Sequence, residues 1–360
     1  MKNFLSLTSA IAIGASLCSV PAMAQGANSD DAVSASAYNE IVVSARKRTE
    51  SLQDVPMSVA VITGDRLIEQ NLGQIENLQA VTSGLIVRKT PNNLVNLTLR
   101  GLGTGTAIDA FEQSVATFID GTYAGRGPEF NGALFDFERV EVIRGAQASL
   151  LSKNTSLGAI SLVTRKPGTE VSVNATGTLD LSLGSRTIEA GVDVPVSDAF
   201  QIRLAGKYDD QHGFVYNSYF DKDVPRTKNV SGRVTLAFQP VENLDMTLMY
   251  QYFQVRQKGM PWEIISDPNG NLEALSDFAG YPGLEIGANR RQSEGSDFGQ
   301  SYDRTHGNRV VGTINYELAG GHTITSVTGY SDFDSERWRD TDLLPGDYLN
   351  GTYLQSNEQF

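Results

Sequence analysis

The chain has 360 residues, a formal net charge of −13, 35 glycines, 13 tyrosines and 40% apolar residues. So acidic a balance leaves no basic excess to neutralise phosphates, which argues against a nucleic-acid partner, and the glycine and tyrosine content suits a turn-rich β protein better than a helical one. Cys18 is the sole cysteine, and His212, His306 and His322 lie far apart without ligand spacing, so no metal site is implied.

Residues 1–24 read as a secretory signal. Lys2 supplies the positive start, Phe4 to Val20 the apolar stretch, and Ala22-Met23-Ala24 the small-residue cleavage site before Gln25. The apolar run is dotted with serines and shorter than the ~20 residues a spanning helix needs. Residues 25–49 are polar and small and read as disordered. One β-prone island interrupts them, Glu40-Ile41-Val42-Val43-Ser44-Ala45, followed by Arg46-Lys47-Arg48. Such an island beside a floppy tail can add itself to another protein's sheet edge. It can also be the first strand of the fold that follows.

Residues 50–167 read as an α/β domain. Pro56–Ile62 suggests a strand, and Thr63-Gly64-Asp65 offers an N-cap for a helix over Arg66–Asn71. Gly73 closes it, and Ile75, Leu78, Gln79 and Val81 suggest a second helix. Leu85–Arg88 and Leu97–Arg100 read as strands around the polar turn Pro91-Asn92-Asn93. Val115–Ile119 is another strand, and Asp120-Gly121 signals a tight turn towards Tyr123. Glu138–Ile143 and Ala159–Thr164 are two more, joined by a polar, small-residue connection that includes Lys153-Asn154-Thr155-Ser156. Gly101-Leu102-Gly103-Thr104-Gly105 misplaces the third glycine of a dinucleotide fingerprint, so no nucleotide cofactor is implied.

The stretch Leu134–Pro167, LFDFERVEVIRGAQASLLSKNTSLGAISLVTRKP, resembles the centre of the plug domain of TonB-dependent outer-membrane receptors. Members of that family read DxxRxEVxRGPQ, a Gly-rich turn and NTxGGxINxxTRKP. NLTLRGLG at 96–103 and VATFIDGTYAGR at 115–126 resemble further plug segments. The resemblance implies that Glu40, Ile41, Val42, Val43, Ser44 and Ala45 are a TonB box, which pairs with TonB and, indirectly, with ExbB/ExbD. It places Arg100, Arg139 and Arg144 where the family has arginines facing barrel-wall acids; structural ion pairs are their plainer role. Asp109, Glu112 and Arg126, on the plug loops Thr104–Glu112 and Ala124–Phe130, become candidate substrate contacts. The chain departs from the pattern at Ala146, where proline is usual, at Ser149-Leu150-Leu151-Ser152, and at Leu157-Gly158, which replaces a glycine pair.

From about residue 168 the texture changes to strand-length segments of alternating polarity. Seven stand out: Val171–Leu183, Arg186–Val194, Gln201–Asp210, Ser231–Gln239, Leu244–Arg256, Arg309–Leu318 and His322–Asp334, with the start of an eighth at 355–360. Ile202 and Leu204 alternate with Arg203, and Met246, Leu248 and Tyr250 flank polar neighbours. A soluble sandwich would give the same alternation; the export signal and the plug resemblance favour a membrane barrel. Residues 258–305 read as one long external loop. The expected fold is therefore an α/β plug followed by an antiparallel transmembrane β-barrel, incomplete at 7–8 of the ~22 strands of plugged transporters.

The function implied by the resemblance is TonB-dependent import of a scarce nutrient, an iron–siderophore or similar small molecule, across the outer membrane of a Gram-negative cell. The lipid of that membrane would surround a barrel that is monomeric when complete. The alternative is a truncated, non-transporting fragment whose plug still binds TonB. No nucleophile–base spacing, metal set or carboxylate pair marks an enzyme.

Overall fold

The computed structural model describes residues 42–44, 50–70, 75–90, 95–104, 113–127, 129–130, 134–151, 154–278, 280–295, 300–346 and 349–360. The export signal and the turn at 91–93 lie outside them. A short antiparallel ribbon of β1 (Val42–Val43) and β2 (Glu50–Ser51) opens the described fold. β3 (Val59–Thr63) then runs into α1 (Gly64–Glu69), where Thr63 Oγ1 accepts the Arg66 amide at 3.4 Å, the cap expected from its sequence. A 3-10 turn, Ile75–Asn77, continues into the short helix Leu78–Val81. β4 (Leu85–Lys89), β5 (Val95–Leu99) and β6 (Leu102–Gly103) form a separate antiparallel meander.

β7 (Val115–Ile119), β8 (Thr122–Tyr123), β9 (Phe137–Arg144) and β10 (Gly158–Thr164) join β3 in a five-stranded sheet of order β3-β9-β10-β7-β8. Only the β10–β7 pair is parallel. Between β7 and β8, Asp120 and Gly121 both take positive φ (45° and 79°), as a two-residue type I′ turn requires. The Asp120 carboxylate accepts from the Thr164 amide and hydroxyl, each at 2.8 Å, tying that turn to the end of β10. Ile62, Leu78, Leu97, Val140, Ile160 and Leu162 are among the buried residues of one apolar core under this sheet. Burying each such side chain stabilises by roughly 1.5–3 kcal/mol.

The connection between β9 and β10 departs from a plain bend. Ala148–Leu151 is a helical turn, and Leu151 packs into a second cluster with Val43, Val55, Phe118 and Ile143. Of the pair Leu157-Gly158, the glycine is the position the backbone demands. Its φ is 145°, and a β-carbon there would lie 2.3 Å from the Ile143 carbonyl oxygen.

The remaining strands build a wall. β11 (Ser172–Leu179), β12 (Arg186–Ser197) and β13 (Phe200–Gln211) come first, followed by the short loop strands β14 (Val215–Asn217) and β15 (Lys222–Val224). β16 (Arg226–Val241) and β17 (Leu244–Lys258) are long, β18 (Arg291–Gln292) is a loop strand, and β19 (Tyr302–Leu318), β20 (His322–Asp340) and β21 (Asn350–Gln359) complete the series. The eight long strands form one antiparallel sheet, β11-β12-β13-β16-β17-β19-β20-β21, whose two edges do not pair with each other.

The wall's burial is inverted relative to a soluble sandwich. Arg203, Lys207, Ser231, Arg233, Gln251, Thr305, Arg309 and Ser335 are buried on the face towards the inner body. Ile188, Leu204, Val234, Leu248, Tyr250 and Ile314 point outwards and are exposed. An antiparallel wall with apolar side chains outside and polar ones inside is the pattern of a barrel in lipid. Among the described residues no helix is long and apolar enough to cross a membrane.

Three sequence expectations shift here. The first wall strand ends at Leu179 rather than Leu183, because Asp180 Oδ1 accepts from Ser182 N, Ser182 Oγ and Leu183 N and turns the chain. β16 and β19 begin five and seven residues earlier than expected, where both faces are polar and alternation carries no signal. The region 258–305 is not a single loop: it holds the helix Asn271–Phe278 and β18, which pairs parallel with β14 to form a three-stranded sheet with β15.

Candidate functional site: the contact between inner body and wall

The segment Leu134–Phe137, which leads into β9, is pressed against the wall. Asp136 takes φ 52°, a left-handed conformation that aspartate tolerates better than most residues. Its carboxylate is clamped by Arg203 of β13, with Nε to Oδ2 at 2.8 Å and Nη2 to Oδ1 at 2.5 Å. Arg203 also donates to Asp193 at 2.8 Å and Asn174 at 2.7 Å, so its guanidinium joins three wall strands to the inner body. The Asp136 amide donates to Glu189 of β12 at 2.7 Å, and Lys207 Nζ donates to the Leu134 carbonyl at 2.9 Å. Arg233 of β16 donates to the Phe135 and Asp136 carbonyls at 3.0 and 3.1 Å and lies 4.4 Å from the Phe135 ring centre. Beside this clamp, α1 and Leu78 face β11 and β12 across a cavity of about 80 Å³.

A second contact lies on β19 and β20. Arg309 pairs with Glu129 at 3.4 Å and donates to Thr122 Oγ1 at 3.0 Å, while Ser331 Oγ donates to Glu129 at 2.7 Å. Gln359 of β21 donates to the Tyr123 carbonyl at 2.8 Å. Buried, bidentate Arg–carboxylate pairs are strong and geometrically specific when every donor is used. The arginines stand on the wall and the acids on the inner body.

That arrangement differs from the one expected for Arg100, Arg139 and Arg144. Arg139 bonds within the inner body, to Glu138, to Glu141 at 2.8 Å and to Ser44 Oγ at 3.4 Å. Arg144 donates to Ser58 Oγ at 3.2 Å. Arg100 sits in a turn at φ 54°, its amide donating to the Gly84 carbonyl. Arg139 and Arg144 stand on β9, inside the five-stranded sheet, and these partners all belong to the inner body. Arg139 thus makes structural ion pairs within the inner body, and Arg203, Arg233 and Arg309 supply charge to the contact from the wall side.

Of the island at 40–45, Glu40, Ile41 and Ala45 lie outside the described residues. Val42 and Val43 form β1 against β2, Val43 is fully buried, and Ser44 donates through its amide (2.9 Å) and hydroxyl (3.1 Å) to the buried Glu141 of β9. Asp109 and Glu112 also lie outside the described residues. The Arg126 amide donates to Glu129 at 3.3 Å, which places Arg126 beside the second wall contact. Among the described residues no group of acids, histidines or cysteines could hold a metal ion.

Comparison with known proteins matches residues 51–159 to the TonB-dependent Receptor Plug Domain. Residues 51–159 are thus a plug domain of that family. The pesticin receptor of Yersinia pestis is 25% identical over 213 residues, 58% of this chain and 28% of that relative. A ferric-pyoverdine receptor of a Pseudomonas strain is 30% identical over 162 residues, 44% of this chain and 18% of that relative. This chain thus spans less than a third of the length of these relatives. Among solved structures, the ferric yersiniabactin uptake receptor of Yersinia pestis superposes with a TM-score of 0.65 at 18% identity, over 83% of this chain and 44% of that one. The ferripyoverdine receptor of Pseudomonas aeruginosa gives 0.64 at 17%, over 88% and 40%. These likenesses establish the fold: the inner body is the plug, and the wall is barrel sheet.

Proposed function

We propose that the protein takes part in TonB-dependent uptake of a ferric siderophore or a similar scarce small molecule across the outer membrane. One observation carries the reading. A plug with its own apolar core is held against the polar inner face of an inside-out wall by the Asp136–Arg203 clamp. A polar seam of that kind can exchange its hydrogen bonds for water, whereas the plug core cannot. The siderophore receptors among its relatives supply the substrate class. In this reading residues 1–24 direct export and are removed, residues 50–167 are the plug and residues 168–360 barrel wall. The segment 40–45 is the TonB contact, driven indirectly by ExbB/ExbD, and β1 is its stored form, peeled from β2 when TonB pairs with it.

The test is uptake of a radio-iron siderophore panel by cells with and without TonB, in parallel with a 40–45 deletion. Uptake that requires TonB and is abolished by the deletion supports the reading. A protein that reaches the outer membrane and binds TonB but takes up nothing would make it a non-transporting plug carrier instead.

A further inference from the structure

The inner face of the wall carries its plug contacts on two neighbouring rows. Cross-strand pairing sets Arg203, Thr235, Met249, Val311 and Gly329 side by side across β13, β16, β17, β19 and β20. The next row, towards the long connections, reads Arg233, Gln251, Arg309, Ser331 and Gln359 across β16, β17, β19, β20 and β21. Arg203 clamps Asp136 at one end of the first row, and Met249 and Val311 enter the plug's apolar core in its middle. Gly329, at the far end, offers no side chain.

The plug fills that place. The tip of the β7–β8 hairpin lies against β20, and a β-carbon at position 329 would stand 2.5 Å from Thr122 Cγ2 and 2.9 Å from Thr122 Cβ. Carbon atoms in contact sit about 3.5–4.0 Å apart, so even alanine would push the hairpin off the wall. The hairpin cannot yield easily. Its turn holds positive φ at Asp120 and Gly121, and the Asp120 carboxylate is tied to Thr164 twice at 2.8 Å. Thr122 Oγ1 donates to the Ile119 carbonyl at 2.7 Å and accepts from Arg309 at 3.0 Å. Guanidinium bonds to backbone carbonyls do not fix one position by themselves, because a carbonyl recurs at every residue of an extended chain. The missing side chain occurs once on its row.

We propose that Gly329 is a positioning residue: a gap in the wall's inner surface, kept open for Thr122, that fixes the height and rotation of the plug within the wall. The clamp at Asp136 and the bonds from Arg233 and Arg309 then meet their acceptors in one register only. The seat belongs to the fold, and its bearing on uptake rests on the proposed function. There the hairpin brings the plug back to the same register each time the polar seam has exchanged hydrogen bonds with water.

The test is a double-mutant cycle on the full chain extracted from membranes in neutral detergent, with the wall's fold checked by heat-dependent gel migration. The readout is the rate at which a protease cuts the plug, which needs no transport. Gly329→Ala should raise that rate about tenfold, as an overpacked contact does. Thr122→Gly removes the atoms that an alanine would strike, so in that background Gly329→Ala should change the rate less than about twofold. Gly312→Ala, on β19 where a β-carbon meets nothing within 4 Å, should match wild type. A Gly329→Ala chain as resistant as wild type overturns the seat. So does an equal effect with and without Thr122, which would place the fault in β20 alone. Should Gly329→Ala fail to fold, Gly329→Ala/Thr122→Gly must restore the folded band, or the seat is likewise overturned. A chain that shows this coupling yet takes up no siderophore sinks the uptake reading and leaves the seat standing.

Discussion

The plug and the wall bury opposite things. Under the plug sheet the buried residues are Ile62, Leu78, Val140, Ile160 and Leu162. On the wall they are Arg203, Lys207, Arg233, Gln251 and Arg309, while leucines and tyrosines face out. One polypeptide therefore obeys two solvent rules. The plug is driven together by withdrawing apolar surface from water, and the wall needs that surface left outside for lipid. Where the two meet, Met249 and Val311 of the wall pack into the plug's apolar core, and the rest of the contact is hydrogen bonds and ion pairs, whose net contribution is small while all are satisfied and costly when one partner is lost.

Removing one partner of the clamp should give the largest effect on the seam. Asp136→Ala leaves Arg203 only Asp193 and Asn174 in a buried site, a loss of about 1.5–3 kcal/mol. Limited proteolysis should then release the plug at a lower denaturant concentration, while the plug's own sheet stays protected. Simultaneous loss of both would break the distinction between seam and core. Outward, Leu248→Arg should cost about 2–4 kcal/mol if the site lies near the bilayer midplane, read as loss of folding into vesicles. No effect there would mean that lipid does not cover this face.

The loops sharpen the comparison, because there a buried acid lacks the cationic clamp of the seam. Burial pushes Glu294 up to about 7 from an ordinary 4.5; the Ser301 hydroxyl it accepts from, and Arg339 nearby, only partly offset that, while Asp342 adds to it. The folded loop therefore holds a proton that the unfolded chain releases. Its stabilising effect is complete below about pH 4.5 and is lost as pH rises through about 7, a change of roughly 3 kcal/mol. Gly295 and Gly346, which join this loop to the next wall connection, should exchange amide protons faster at pH 8 than at pH 5 after correction for intrinsic rates. Glu294→Gln should flatten that difference.

Much of the wall was legible because side chains alternate with period 2 whatever the solvent. Ile202-Arg203-Leu204 already showed an arginine flanked by outward apolar residues. What that pattern withheld was the partner: Asp136 is 67 residues away, and no local rule joins them. The arginines of the plug motif drew the expectation because they are adjacent in sequence to a recognisable pattern. The inward-facing arginines on β13, β16 and β19 are a further signal in the sequence. The Asp120-Gly121 turn and the Thr63 cap were readable because their chemistry is local. The early starts of β16 and β19 were not, since polar side chains on both faces erase the alternation.

Strand β9 has a mechanical consequence. Glu141 in its middle holds Ser44, and Asp136, one residue before its start, holds the wall. The two anchor points are five residues apart along extended backbone, about 17 Å. A tension entering upstream of Val42 would load the Val42–Ser51 and Val43–Glu50 pairs one after the other, then Ser44. From there β9 carries it through Val140 and Phe137, both members of the apolar core, to the arginine clamp. Links in series yield at the weakest member, so the tension that frees Val42–Ser44 is set by a few small bonds rather than by the sum of many, while the plug keeps its several bonds to the wall.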